Sequence, residues 1–248
     1  MTVMCDPELK VIDPFEAPYL FYSKPENELM SLVAQRTGHR LRGSLVATVR
    51  NAYDAACLIA EHGYDVGLAH HIEEMLRKSG DYSSWKRAMP NKTPPAIRIY
   101  KKQYDKRIDA EVTNEIDACG ASIPVGQYLF HGGHWPASMM TMDTKRPLSS
   151  SFLPEVAFQN AIHNGKSYHS RRIDLWVMHF LEPGIKAYVF NGRGALANEK
   201  EVLLAAGIRL TLTSHKRIKA DYPVGLDETT TMNVPVNVLN VEVSRISE

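Results

Sequence analysis

The sequence predicts an α+β protein, with a small helical region first and a β-rich, mainly antiparallel core after it. Two observations support this prediction. Apolar residues recur at helical spacing over roughly the first 80 residues. After about residue 120, short apolar runs follow one another between Pro and Gly residues, as the strands of an antiparallel sheet do.

The N-terminal region is predicted to contain three helices. They cover residues 25–37, 44–61 and 65–78. Ser23 and Glu26 have the spacing of a capping box at the start of the first helix, and Asp65 is a candidate N-cap of the third. Gly63 and Gly80 are predicted to end the second and the third.

The stretch from Tyr82 to Arg107 is rich in Pro and basic residues, with aromatic residues between them. It is predicted to be a connecting stretch with one short strand, Ala96–Tyr100. Two interpretations of its part from Trp85 to Arg107 stay open, namely contact with a nucleic acid and a solvated loop. We divide the chain after this stretch, into a helical N-terminal region of residues 1–110 and a β-rich domain of residues 111–248.

The β-rich domain is predicted to contain six strands and one helix. The strands cover residues 127–130, 173–181, 186–190, 201–204, 208–213 and 233–243. In the last of these, valines alternate with other residues, as on a strand with one buried face. The helix is predicted over residues 154–164, starting at Pro154 and closed by Gly165.

Composition and charge exclude several classes of protein. With 44% hydrophobic and 23% charged residues, the 248-residue chain has the composition of a globular protein. A net charge of +1 gives it no strong overall attraction to nucleic acid or an anionic membrane. We expect no secretory signal and no membrane partner. Cys5, Cys57 and Cys119 lack CxxC spacing, so we expect no disulfide framework. We expect a cytoplasmic location for the same reason.

Three short motifs stand in the β-rich domain. The first, Tyr128–Gly133, is an aromatic strand that ends in His-Gly-Gly. The second, Ser149-Ser150-Ser151, precedes the predicted helix, and the third, Glu199-Lys200-Glu201, precedes an apolar strand. Each motif alone also fits a structural role: a turn histidine, a serine-rich helix cap and an exposed edge strand.

Taken together and in this order, the motifs resemble those of the ADP-ribosyltransferase superfamily, over roughly residues 125–215. The resemblance implies a catalytic domain with two packed, mainly antiparallel sheets and NAD as substrate. It implies catalytic roles for Glu201, Glu199 and Ser149. It also implies that NAD is bound by His131, Gly132, Ser149 and Ser151. Lys166, Arg171 and Arg172 are candidates for contact with the NAD pyrophosphate, or are solvated loop charges.

The chemistry of the reaction explains why carboxylates are needed. Loss of nicotinamide leaves an oxocarbenium-like ribose, which a fixed negative charge in a partly dry site stabilises. Glu201 would supply that charge and hold the ribose 2′-hydroxyl. Glu199 would orient the acceptor or accept its proton, because carboxylates at positions i and i+2 of a strand point to the same face.

The acceptor is expected to be a macromolecule, as for toxin-like members of the family. A Glu two residues before the catalytic one goes with arginine in the family, which favours mono-ADP-ribosylation of protein arginine. His131 stands where such enzymes usually carry Arg, and a His there is typical of the diphtheria-toxin-like and poly(ADP-ribose) polymerase branch. A nucleic acid base therefore remains an alternative acceptor. NAD hydrolysis and a non-catalytic module that binds NAD or nucleic acid remain further alternatives.

Neither a metal site nor a specific partner can be derived from the sequence. His70, His71 and Glu74 share a predicted helix, and His131 with His134 forms His-x-x-His, but neither group is a complete ligand set. We predict no metal. The N-terminal helices could bind an antitoxin or a regulatory partner.

Overall fold

A computed structural model of the chain describes residues 9–23, 43–190, 199–227 and 229–246. The helix predicted over residues 25–37 lies outside these ranges. The helices are α1 (Ala52–His62), α2 (Val66–Lys78), α3 (Gly80–Arg87), α4 (Pro95–Lys102), α5 (Asp109–Cys119), α6 (Pro154–Ile162) and α7 (Lys166–Ser170).

The strands form one small and one large sheet. They are β1 (Tyr19–Tyr22), β2 (Leu45–Val49), β3 (Ala121–Ser122), β4 (Tyr128–Gly133), β5 (Thr141–Asp143), β6 (Leu148–Ser151), β7 (Ile173–Phe180), β8 (Lys186–Val189), β9 (Glu201–Leu204), β10 (Ile208–Gly225) and β11 (Thr231–Arg245). β1 and β2 form an antiparallel pair, and the other nine strands form one sheet.

The expected core of two packed sheets is wrong, because the structure has one continuous nine-stranded sheet. Its order is β3-β8-β9-β6-β4-β7-β11-β10-β5, and among the described strands only β7 and β11 are parallel neighbours. Its two parts meet between β4 and β6, which pair at a single position, Phe130 with Ser151. Beyond that pair the two strands separate, and a cleft opens between them.

The helix predicted over residues 44–61 is wrong before Ala52. Leu45–Val49 form β2 and pair with β1, and α1 begins only at Ala52. The cause is Asn51, whose side chain accepts a hydrogen bond from the Asp54 amide at 2.8 Å and so starts the helix there. The predicted end is confirmed, since Gly63 adopts a φ of 83° after α1.

The third predicted helix is confirmed as α2, with Asp65 accepting from the Leu68 amide at 2.6 Å. Gly80, however, does not lie in a loop that ends this helix. It is the first residue of α3, whose N-cap is Ser79.

The connecting stretch and its predicted strand Ala96–Tyr100 are wrong, because the stretch contains α3 and α4. Pro95 occupies the first position of α4, where a missing amide hydrogen has no cost. The next two amides donate to the Glu115 carboxylate of α5, at 3.1 and 2.9 Å. Trp85 is fully buried against Phe152, so it cannot stack on a nucleic acid base.

The predicted strands of the β-rich domain are confirmed, although β10 runs far beyond residue 213. The alternating valines of β11 are all buried: Val234, Val236, Val238, Val241 and Val243. The predicted helix 154–164 is α6, followed by a short turn that contains Gly165 with a φ of 69°. The domain boundary at residue 110 stays a prediction. Within the described ranges, no helix has the length and apolar character needed to cross a membrane.

Candidate active site

The cleft between β4 and β6 has a volume of about 1390 Å³. Its lining includes five of the eight residues predicted for the site: His131, Gly132, Ser149, Glu199 and Glu201. A second cavity, of about 540 Å³, is lined by none of the eight. The three sequence motifs therefore meet in the larger cleft.

Where β4 and β6 separate, the side chain of His131 connects the two strands in place of a backbone hydrogen bond. Its Nδ1 lies 2.6 Å from the carbonyl oxygen of Ser149. A carbonyl can only accept, so we assign the ring proton to Nδ1, which leaves Nε2 as an acceptor. Burial, together with the nearby charges of Lys166 and Arg146, outweighs the hydrogen bond to Ser149 and lowers the pKa of His131 to about 4. The ring is therefore neutral at pH 7.

The two glycines after His131 are required by packing. A Cβ on Gly132 would lie 1.6 Å from the backbone oxygen of Ala157 in α6. A Cβ on Gly133 would lie 2.8 Å from Nε2 of His131. The glycines thus let α6 approach β4 and leave room for the imidazole ring.

Ser149 connects the second motif to the third. Its hydroxyl donates to Oε1 of Glu201 at 2.6 Å. β6 and β9 are antiparallel with Ser151 opposite Glu201, so Ser149 and Glu201 are diagonal neighbours on one face. Glu201 itself is buried, with 7% of its surface exposed.

The hydroxyl of Ser151 does not line the cleft. It donates to the backbone oxygen of Glu199 at 2.5 Å and accepts from the Leu153 amide at 2.9 Å. Ser151 therefore fixes the backbone before β9, and the structure does not bring it to the cleft as the resemblance implied.

Lys101 of α4 lies between the two glutamates of the third motif. Its Nζ is 2.5 Å from Oε2 of Glu199 and also contacts Oε2 of Glu201. Burial alone would lower the pKa of Lys101, but the two carboxylates raise it above its usual value. The ammonium group is therefore charged and serves both carboxylates.

The i, i+2 argument assumes that Glu199 and Glu201 lie on one strand. In the structure, Glu199 lies outside the strand. β9 begins at Glu201, and Lys200 between them has a φ of 45°. The side chain of Lys200 pairs with Glu73 of α2 at 3.1 Å. The two glutamates converge through Lys101, while Lys200 ties the same turn to the N-terminal helices.

Arg171 and Arg172 do not line the cleft. Arg172 pairs with the buried Asp174 at 2.9 Å and donates to the backbone oxygen of Trp135, while Arg171 is exposed with a φ of 55°. Lys166, named with them from the sequence, does line the cleft, together with Lys145 and Arg146.

Sequence reasoning missed Lys101, Lys145 and Arg146 as cleft residues. Arg146 lies three residues before the second motif, and this nearness to the motif is a usable signal. Lys101 was one of many basic residues in the stretch that was predicted to be a connection. No group of three or more potential metal ligands occurs among the residues described.

Several solved structures of ADP-ribosyltransferase toxins are similar to this chain. The enzymatic component C2-I of the C2 toxin from Clostridium botulinum is 10% identical, with a TM-score of 0.43 over 67% of this chain and 46% of that one. Vis toxin, an ADP-ribosyltransferase from Vibrio Splendidus, is 14% identical, with a TM-score of 0.37 over 91% and 88%. Plx2a, an ADP-ribosyltransferase toxin from Paenibacillus larvae, is 10% identical, with a TM-score of 0.39 over 71% and 96%.

The chain thus spans less than half the length of C2-I. Neither a family model nor a curated protein matches the sequence. With TM-scores below 0.5, the likeness to these toxins does not assign the chain to a family. Its function has to be derived from the cleft, where His131, Ser149 and Glu201 are joined by direct hydrogen bonds.

Proposed function

We propose that the chain is a mono-ADP-ribosyltransferase, which binds NAD in the cleft between β4 and β6 and transfers ADP-ribose to a macromolecule. The observation that supports this most is the hydrogen-bonded series from His131 through Ser149 to Glu201. It places a buried carboxylate beside a neutral imidazole in a cleft large enough for a dinucleotide. An edge-strand triplet, a serine cap and a turn histidine have no reason to converge in this way.

Glu201 is suited to stabilise the cation that forms when nicotinamide leaves. Breaking the bond between C1′ and the nicotinamide nitrogen sends the electron pair to nicotinamide, and positive charge develops on the ribose. A buried carboxylate held by Ser149 is already oriented when that charge appears. A lone pair of the acceptor then forms the new bond to C1′, and Glu199 takes the acceptor's proton.

NAD would be positioned by His131 and by the basic side chains of the cleft. The neutral ring offers Nε2 as an acceptor for a ribose hydroxyl. Lys166 and Arg146 influence His131 electrostatically, so their charges lie near the bound dinucleotide. They suit a pyrophosphate better than the Arg171 and Arg172 expected from the sequence.

The acceptor is expected to meet Glu199. The Glu-x-Glu motif favours protein arginine, and a nucleic acid base is the alternative. NAD hydrolysis by water is a further alternative with the same first step. An antitoxin or regulatory partner and a cytoplasmic location stay predictions.

The substitution Glu201→Gln tests the proposal. It removes the fixed charge and keeps the shape, so we expect nicotinamide release from NAD to fall by about 100-fold or more. Chromatographic measurement of nicotinamide gives the rate, and circular dichroism verifies the fold. Glu111→Gln, the same change at an exposed residue of α5, is the matched control and should retain the wild-type rate. A wild-type protein that releases no nicotinamide, or a Glu201→Gln protein that releases it at the normal rate, contradicts the proposal.

A further inference from the structure

Lys101 forms an ion pair with Glu199, the carboxylate that is proposed to meet the acceptor. Glu199 Oε2 lies 2.5 Å from the ammonium nitrogen, and the same nitrogen contacts Glu201. The Lys101 side chain is 17% exposed, and its Nζ also lies 5.0 Å from the centre of the Phe190 ring. One cation thus neutralises part of the charge of both glutamates.

The position of Lys101 is built into the fold. α4 begins with Pro95 and is fixed by the two hydrogen bonds from its first amides to Glu115 of α5. Tyr100, next to Lys101, is buried and contacts the ring of Tyr104. Lys101 therefore extends into the cleft from an anchored helix, unlike a surface lysine that samples many directions.

A guanidinium acceptor needs the carboxylate oxygen of Glu199 that Lys101 already binds. Arginine pairs with a carboxylate through two parallel hydrogen bonds, which requires both oxygens to be accessible. With Lys101 on Glu199, an incoming guanidinium meets an occupied oxygen and a second positive charge.

We propose that Lys101 is a specificity-determining residue that closes Glu199 to cationic acceptors. The acceptor is then an uncharged nitrogen or oxygen nucleophile, the kind that a nucleobase offers, and not the arginine guanidinium that the Glu-x-Glu motif by itself favours. Such an acceptor needs one oxygen of Glu199 to take its proton, and it can reach that oxygen without competing for the position of a cation. This inference rests on the proposed function.

The test uses agmatine, a small guanidinium compound, as the probe acceptor. The full-length protein is incubated with NAD and agmatine, and both nicotinamide and ADP-ribosyl-agmatine are measured. The ratio of adduct to nicotinamide reports acceptor choice separately from the rate of NAD cleavage. We expect a low ratio for the wild type and an increase of about tenfold or more for Lys101→Met, because a charged hydrogen bond of that order becomes available to agmatine.

Two variants serve as controls. Lys101→Arg keeps a cation beside Glu199 and should keep the ratio low. Lys102→Met removes the neighbouring, exposed lysine at the same helix end, so it makes the same change of net charge and should leave the ratio unchanged. If the lost positive charge alone changed the ratio, the change would appear in both Lys101→Met and Lys102→Met.

The outcomes separate this inference from the proposed function. If the wild type releases no nicotinamide, the proposed function fails and the inference fails with it. If it releases nicotinamide and modifies agmatine at the same ratio as Lys101→Met, only the inference is overturned. If Lys101→Met releases no nicotinamide, agmatine binding measured by calorimetry decides, since binding is expected for that variant and not for the wild type. Equal binding to both overturns the inference.

Discussion

Glu155 is buried in the first turn of α6, and apart from its own amide neither of its carboxylate oxygens has a hydrogen-bond partner among the described residues. Burial, with a smaller contribution from the charges of Asp65 and Glu73, raises the pKa of Glu155 to about 7. The folded protein therefore holds this proton at a pH where the unfolded chain has released it.

This difference makes stability depend on pH. Between pH 4.5 and about 7 the folded state binds more protons than the unfolded state, so the contribution of Glu155 to stability falls as the pH rises. The loss amounts to about 3 kcal/mol. Glu155→Gln should remove that part of the pH dependence, as measured by urea unfolding at pH 5 and pH 8. Glu111→Gln is the exposed control, and parallel pH curves for wild type and Glu155→Gln would refute the prediction.

At the level of single residues, the sequence predicted which motifs meet better than it predicted the individual contacts. His131, Ser149 and Glu201 lie where their motifs indicated, because each motif combines a residue type with a strand end. Arg172 lies away from the cleft and pairs with Asp174, which stands only two residues later. Lys101 could not be predicted, since its partners lie 98 and 100 residues further along the chain.

Among the secondary structure elements, β4 and α6 pack closely against each other at Gly132. The Gly132 position leaves no room for a side chain, since the obstacle is the backbone oxygen of Ala157 and not a flexible group. Holding α6 this close keeps the end of β4, and with it His131, at the cleft.

Gly132→Ala should therefore destabilise the protein by about 3 kcal/mol or more, because either the helix or the strand has to move. Gly80→Ala is the matched control, since a Cβ at the start of α3 meets no atom within 4 Å. Thermal unfolding followed by circular dichroism compares the two. A melting temperature for Gly132→Ala close to that of Gly80→Ala would show that α6 shifts without cost.

The wrong predictions of helices and strands arose where a capping residue or a proline gave the correct signal but the spacing or composition of the segment was given more weight. Asn51 stood in the middle of a predicted helix, yet it is the N-cap that starts α1. Pro94 and Pro95 indicate a connection by their residue type, yet Pro95 starts α4. The number of sheets could not be predicted from strand patterns, because it depends on one pair, Phe130 with Ser151.

For the whole molecule, contacts join the regions before and after residue 110. The side chain of Gln127 bonds both backbone groups of Ile12, at 2.8 and 3.0 Å. Trp85 packs on Phe152 and donates to the backbone oxygen of Lys10 at 2.9 Å. These contacts are mostly buried, so the two regions depend on each other for their cores.

We therefore expect the full chain to unfold in a single transition. Denaturation curves from tryptophan fluorescence and from far-ultraviolet circular dichroism should coincide, as two-state behaviour requires. Residues 111–248 expressed alone should not give a cooperative transition, because Phe152 and Gln127 would lose the partners just described. Two separate transitions in the full chain would instead support independent domains divided near residue 110.

The order in which the chain is synthesised gives the Lys101 contact a further consequence. Lys101 leaves the ribosome about a hundred residues before Glu199 and Glu201, so the cation is present when the carboxylates emerge. Long-range contacts of this kind form late in folding, because closing a large loop costs entropy before the contact compensates for it. A nascent or misfolded molecule accordingly contains the motifs without the assembled cleft, and under the proposed function it would not split NAD.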